Sequence, residues 1–212
     1  MVNSFPVLLY GAWITVLVTL ISFTLGLGIG MIAALSKLSK YRLLSFLANQ
    51  YIDIIRGTPL LIQLFIIYYG LPQIGIVIEP FPSAILGLSL NVGAYIAEVI
   101  RSGILSVNLG QREAAFALGL SKFHTLLYIT LPQAFKVMIP PLGNQLLLLI
   151  KDSSLISIIT VVELTRTGQR IISTTYKPIE IYLLVALIYY LISKFATWGL
   201  NRLELRMRKS EL

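Results

Sequence analysis

The sequence predicts an all-helical membrane protein with five spans, on three observations. Of its 212 residues, 57% are hydrophobic and 12% charged, against roughly 25% charged in an ordinary soluble domain. Its mean hydropathy of +0.85 leaves too little polar side chain to coat a globule in water. Its apolar residues also fall into runs of about 20 residues with few or no charges, the length a helix needs to cross ~30 Å of hydrocarbon. A soluble enzyme, a disordered segment and a basic nucleic-acid module are thereby excluded. The chain has no Cys, which removes disulfides, Cys-held metals and thiol catalysis.

The spans follow in order. Residues 1–36 carry no charge, so a first span is expected over about 7–35. The basic start and short apolar region of a cleavable signal peptide are both missing, and this run reads as a retained anchor. Gly26 and Gly30 stand in it in GxxxG register, which lets two helix backbones approach closely. With Gly28 they do not form a nucleotide-binding loop, because no strand precedes them and no Gly-Lys-Ser/Thr follows. A second span ends near Gly70–Pro72 and begins before Arg56, with Thr58 as N-cap and Pro59 as the first helical residue. A third covers about 83–105. Pro140 and Pro141 punctuate the entry to a fourth, 142–165. The fifth runs over about 180–199, where Lys194 is long enough to snorkel.

Charge orients these spans. The balance of 17 Lys and Arg against 9 Asp and Glu is +8, and cytoplasmic loops collect Lys and Arg. Five crossings place three basic regions on one side: the loop with Lys37, Lys40 and Arg42, the polar segment 106–136, and the tail with Arg202, Arg206, Arg208 and Lys209. That side is expected to be the cytoplasm, with the N-terminus outside. Arg166, Arg170 and Lys177 fall in the external loop before the last span, against the rule, and suggest that this loop meets something.

Segment 106–136 reads as two short helices. Asn108 can cap the first, with Gln111 as capping-box partner, and Glu113 is expected in the first turn, where the helix dipole favours negative charge. Ala114, Ala115 and Ala117 make a low surface, and Gly119 suits the left-handed residue that ends a helix. Ser121 can cap the second helix, and Pro132 marks a break before the next span. Phe116, Leu118 and Leu120 need burial against something, and a short amphipathic helix of this kind is built to enter a partner's groove.

Glu113-Ala114-Ala115, Gly119 six residues on and Ile129-Thr130-Leu131-Pro132 resemble the EAA loop of ABC-importer permeases. Six stretches, in the same order, are similar to the polar amino-acid permeases: Arg56-Gly-Thr-Pro59, Gln63-Leu-Phe, Ala94-Tyr-Ile-Ala-Glu98, Gly110-Gln-Arg-Glu113, Leu131-Pro-Gln-Ala134 and Lys151-Asp-Ser-Ser-Leu155. The likeness runs over nearly the whole chain. It implies a type I importer of the arginine/histidine/glutamine kind, in which residues 1–212 form a single permease domain in the bacterial plasma membrane, with 106–136 as its coupling loop. The partners implied are an ATP-binding subunit, a second permease subunit (here a copy of this chain) and an external solute-binding protein that delivers the amino acid. The chain would be non-catalytic and hold no cofactor of its own, Mg-ATP sitting on the partner. Closure of the ATP-binding subunits would move the loop through Glu113, Ala114, Ala115, Ala117 and Gly119.

Ionisable residues at membrane depth are expensive and usually functional. Lys151-Asp152-Ser153-Ser154 falls at the midpoint of the expected fourth span. One reading is a broken helix, with Ser153 or Ser154 as a new N-cap, free N–H groups receiving the substrate carboxylate, and Asp152 facing its ammonium group. The other is a salt bridge from Lys151 to a neighbouring span. Asn91 and Glu98 lie two turns apart on one face, and Glu98 either meets ligand or pairs with Arg101. Glu163, ~16 Å above Asp152 by helical rise, is expected near the external mouth, attracting cationic substrate. Three carboxylates on one route lean toward a basic amino acid. Gln63 and Tyr68 read as helix-to-helix hydrogen bonders, and His124, the only histidine, as a surface residue. An ATP-independent carrier or channel is the alternative, but it leaves the alanine-rich helix unexplained. An intramembrane enzyme lacks a nucleophile-and-base set, and a purely structural protein has no use for charges near mid-membrane.

Overall fold

In hydrocarbon a backbone N–H or C=O has no water to pair with, so each spanning segment must satisfy its own and wind into a helix. The computed structural model describes residues 5–208, and every regular element among them is helical. Lys209, counted above with the basic tail, lies outside that range. The elements are α1 (Phe5–Lys37), α2 (Arg42–Gly57), α3 (Leu60–Phe65), α4 (Pro80–Ser106), α5 (Leu109–Ala117), α6 (Lys122–His124), α7 (Leu131–Asp152), α8 (Leu164–Thr175) and α9 (Pro178–Arg208). Four described stretches are long and apolar enough to cross a bilayer: Phe5–Lys37, Pro80–Ser106, Lys122–Ile159 and Pro178–Met207. The pair Arg42–Gly57 and Leu60–Ile74, bent by 107°, makes a fifth if it is one crossing.

At the centre α1 lies along α4. A Cβ added at Gly26 would fall 2.4 Å from Val92 Cγ1, and one at Gly30 would fall 2.6 Å from Ile96 Cγ2 and 2.9 Å from Gly93 O. Both partners advance along the chain together, so α1 and α4 run parallel. Gly28 has nothing within 4 Å and takes no part in the close approach that Gly26 and Gly30 permit. Val18, Ala33, Leu88, Val92, Ile96, Ile100 and Met138 belong to the main buried cluster. A second, smaller cluster gathers Leu8, Ala12, Leu164, Ile181, Val185 and Ile188, where α8 is held between α1 and α9.

Three expected boundaries need correction. Thr58 is not an N-cap: it closes α2, and Pro59, extended at φ −63° and ψ 137°, stands before α3. The bend is sharp because Pro59 cannot continue α2 and its ring pushes the preceding residue out of helical conformation. The helix also does not break at Pro132 or at Pro140–Pro141. Residues Thr125–Thr130 wind as a wider π turn, and Pro132 then sits in the first turn of α7, with both later prolines inside that helix. Packed neighbours keep a proline-bearing membrane helix wound. Finally, the fourth span ends near Ile159 rather than Thr165. Ser153–Ile159 tightens into a 3-10 turn, Thr160 takes a left-handed φ of 69°, and the chain then enters α8.

Replacing Gly30 by Ala should destabilise the protein by roughly 1–3 kcal/mol, the usual cost of overpacking, because one of the atoms in its way is backbone. Gly28→Ala should leave thermal stability in detergent unchanged or slightly raised. Equal melting temperatures for the two variants would contradict the α1–α4 contact.

Candidate functional site

The 107° bend opens a cavity of about 270 Å³ between three elements. Thr58, Pro59 and Leu60 form one wall, Asn91, Val92 and Tyr95 of α4 a second, and Gln145, Leu148, Leu149 and Asp152 of α7 a third. The α7 residues follow at i, i+3, i+4 and i+7, one face of a helix. Two residues expected at the substrate from sequence, Asn91 and Asp152, therefore meet in one cavity.

The polar wiring of this cavity starts at the bend. The end of α2 leaves carbonyls without helical partners, and Gln63 Nε2 approaches them, lying 2.8 Å from Ile55 O, 3.1 Å from Thr58 O and 2.9 Å from Thr58 Oγ1. Gln63 Oε1 accepts from Asn91 Nδ2 at 3.0 Å, so the expected helix-to-helix role of Gln63 is observed. The Asp152 side chain is half-buried and makes no hydrogen bond or ion pair with any described residue, the neighbouring Lys151 being the charge that acts on it. Beside it, Lys151 is exposed and likewise outside both ion pairs of the described residues. The salt bridge to a neighbouring span is thus not formed among the described residues. Arg56 sits over the ring of Tyr95, 5.3 Å from its centroid, which sets a cation at the edge of the same cavity.

The other expected site residues lie elsewhere. Glu98 is a structural anion: Lys37 Nζ donates to Oε1 at 2.6 Å, and Arg101 donates from Nε to both oxygens and from Nη2 to Oε2 at 3.0 Å. The pairing with Arg101 is observed, with Lys37 added. Ser153 is buried and donates its hydroxyl to Ile150 O, while its own N–H is taken by Leu149 O and Lys151 O. The helix does change at the expected place, α7 giving way after Asp152 to the 3-10 helix Ser153–Ile159, but neither Ser153 nor the half-buried Ser154 caps it, since no side chain makes a cap hydrogen bond at its start. Glu163 is not at an open mouth: it is 0% exposed. It caps α8 by accepting from Thr165 N and Arg166 N at 2.8 Å, and it receives the hydroxyls of Thr15 (3.3 Å) and Tyr189 (2.8 Å). One carboxylate thus ties together α1, α8 and α9. Sequence reading missed Tyr95, Gln145 and Arg56. Tyr95 is four residues past Asn91, and Gln145 is seven before Asp152, so helical spacing from the two expected residues points to both. Among the described residues no three acidic or histidine side chains gather as a metal site would need.

A second surface is built by 106–136. Asn108 Oδ1 accepts from Gly110 N at 2.9 Å, the expected cap. Gln111 contributes only its backbone N–H, to Asn108 O, so the capping box is not made, and α5 begins at Leu109, which puts Glu113 a turn further in than expected. At the other end Gly119 N donates to Phe116 O and Leu120 N to Ala115 O, with Gly119 at φ +80°, the pairing of a Schellman motif. Ser121 Oγ accepts from His124 N, the expected second cap. His124 is exposed, as expected, and stacks on Tyr128. Ala115 is buried, while Glu113, Ala114, Ala117 and Gly119 are exposed and Leu118 is 83% exposed. Phe123 and Leu109, each 67% exposed, extend this apolar surface.

Residues 26–209 match the family described as "Binding-protein-dependent transport system inner membrane component". The chain belongs to that family and is a membrane permease component. It is similar to the L-cystine transport system permease protein TcyB of Bacillus subtilis, with 47% identity covering 90% of this chain and 82% of that one. The glutamine transport system permease protein GlnP of Escherichia coli K12 is 41% identical over 97% of this chain and 94% of its own. The arginine transport system permease protein ArtQ of Bacillus subtilis is 35% identical over 99% and 96%. A solved amino acid ABC transporter crystallised with histidines superposes with a TM-score of 0.94 and 38% identity, over 97% of this chain and 96% of that one. The methionine ABC transporter MetNI in an inward-facing conformation shares the fold, with a TM-score of 0.76 at 19% identity, over 95% and 96%. The fold is that of an ABC importer permease for amino acids, and the chain is an inner-membrane protein.

Glu163→Ala should lower stability by about 2 kcal/mol or more, from a lost cap and orphaned donors. Glu163→Gln, which keeps acceptor oxygen, should lose less. An unchanged melting temperature for Glu163→Ala would remove this carboxylate from the structural framework.

Proposed function

We propose that this chain is the transmembrane subunit of an ATP-driven importer that carries polar, basic-leaning L-amino acids into the cytoplasm by alternating access. The observation that carries the reading is α5: a helix closed at both ends and held outside the apolar bundle, with Glu113, Ala114, Ala117 and Leu118 turned to solvent. An exposed apolar helix of this kind requires a partner, and in this reading a separate ATP-binding subunit receives it. Two copies of the chain form the membrane pair, an external solute-binding protein delivers the amino acid, and the N-terminus faces outward. The chain contributes no nucleotide site or cofactor, since Mg-ATP belongs to the partner.

Within this reading the cavity holds the amino acid. Asp152, the one carboxylate on its walls, faces the substrate's cationic group, Asn91 and Gln145 offer amide donors and acceptors, and Arg56 stands at the rim near the carboxylate. The basic preference rests on Asp152 as the carboxylate among the wall residues, with Lys151 beside it outside the ion pairs of the described residues. Ser153, Ser154, Glu98 and Glu163 support this arrangement from outside.

Asp152→Asn should cut uptake in proteoliposomes at least tenfold while assembly with the ATP-binding subunit survives, since a hydrogen bond to a charged group is worth roughly 1.5–3 kcal/mol. Wild-type uptake by the variant would refute the ligand assignment. Glu113→Lys should weaken capture of the ATP-binding subunit several-fold and uncouple ATP hydrolysis from substrate, with the spans still folded. Normal coupling in that variant would sink the docking role of α5.

A further inference from the structure

A groove of about 370 Å³ runs between α1 and α2 with Leu90 and Tyr51 at its base, and it takes no part in the cavity described above. Its walls are Ile29, Ile32, Ala33, Leu44, Leu47 and Ala48. Ala33 and Ala48 are buried at its floor, whereas Ile32 is 70% exposed at its rim. The only hydroxyl near its base, Tyr51, donates to Leu90 O at 2.6 Å. The groove is thus apolar along its length and shaped for a hydrocarbon chain.

One end of the groove is different. Ser36 and Leu44 lie at the turn that joins α1 to α2, and this turn carries Lys37, Lys40 and Arg42. Lys37 is engaged by Glu98 at 2.6 Å. Lys40 and Arg42 are exposed, and neither is in an ion pair among the described residues. Tyr41, which precedes α2, makes no side-chain cap, so the positive end of that helix adds to the field of the two cations. The acidic residue of α2, Asp53, is eleven positions beyond Arg42, ~16 Å along the helix. An apolar trough that ends in two unpaired cations complements an amphiphile with a negative head.

We propose that the groove between α1 and α2 is a binding site for an anionic phospholipid, with one acyl chain lying along Ile29, Ala33, Leu44 and Ala48 and the phosphate held by Lys40 and Arg42. Burial of the chain provides affinity with little selectivity, since every phospholipid has acyl chains. Selection among headgroups comes from the charge, as it does for basic segments beside a bilayer. The site differs in this from the exposed apolar face of α9 around Leu183 and Leu187.

The test uses the full-length chain, purified with the subunits that stay bound to it, and equal amounts of phosphatidylglycerol and phosphatidylcholine read by native mass spectrometry. The wild-type protein should retain phosphatidylglycerol in preference. Lys40→Gln with Arg42→Gln should lower that preference on the order of tenfold, given the energy of each basic residue near an anionic surface. Lys177→Gln, in the α8–α9 connection, should not. Ala48→Phe, which fills the groove floor and leaves both cations in place, should lower retention of the preferred lipid, and it supplies an independent reading if the double variant is poorly folded. Equal retention of the two lipids by the wild type, or a preference that survives both the double variant and Ala48→Phe, would overturn the proposal. So would a cross-link from Leu47→Cys to a second protein chain, which is unambiguous because the protein has no native Cys. The readout is lipid retention, so the result is independent of whether uptake or ATP coupling proceeds as proposed above.

Discussion

The close approach of α1 to α4 is the contact on which the remaining structure is arranged. Without side chains at Gly26, Gly30 and Gly93 the two helices come near enough that any added carbon would overlap its neighbour. In a bilayer there is no hydrophobic gain from joining apolar helices, so association relies on van der Waals contact between closely fitted surfaces. Once α4 is fixed against α1, its other faces receive α3, through Gly87 against Leu64, and α7, through Gly103 against Met138. The cavity walls on α4 are set by the same placement.

Polar groups divide in this bundle according to whether their hydrogen-bonding capacity is used. Glu98 is part-buried and Glu163 fully buried, but the oxygens of both are filled, the first by Lys37 and Arg101, the second by two backbone N–H groups and two hydroxyls. They stiffen the joints between helices. Asp152 has no such company. The proposed ligand role rests on that difference, because leaving a half-buried carboxylate without a hydrogen-bonding partner is costly.

Much of this was legible in the residues. Charge-poor apolar runs located both ends of α1 and α4 and the start of α9 to within a few positions, because hydropathy over about 20 residues is a strong signal, while α9 runs on to Arg208 past its expected end. Gly26 and Gly30 disclosed a packing face, and Asn108, Gly119 and Ser121 disclosed helix ends, because capping is local chemistry. Prolines were less readable. Pro59 bends the chain sharply while Pro140 and Pro141 stay inside α7, and the difference depends on what packs against each, which a single chain of letters does not display. The charged residues were legible only in part: the Glu98–Arg101 pair, three positions apart, was visible, but Lys37 on α1, which joins it, and the hydroxyls of Thr15 on α1 and Tyr189 on α9, which reach Glu163, come from up to 148 positions away. Asn91 and Asp152 were found by type and depth, and their meeting in one cavity required the fold.

The small helix α5 fastens its own ends. Its first N–H groups have Asn108, its last carbonyls are met by Gly119 and Leu120, and only Val107 and Asn108 separate it from α4. A body sealed in this manner can be shoved sideways without unravelling, because no backbone group must exchange partners to let it travel. In the coupling proposed above, two residues of slack would hand such a shove on to α4 as a lever stroke rather than absorb it as a spring, and α4 is the helix that carries Asn91 and Tyr95.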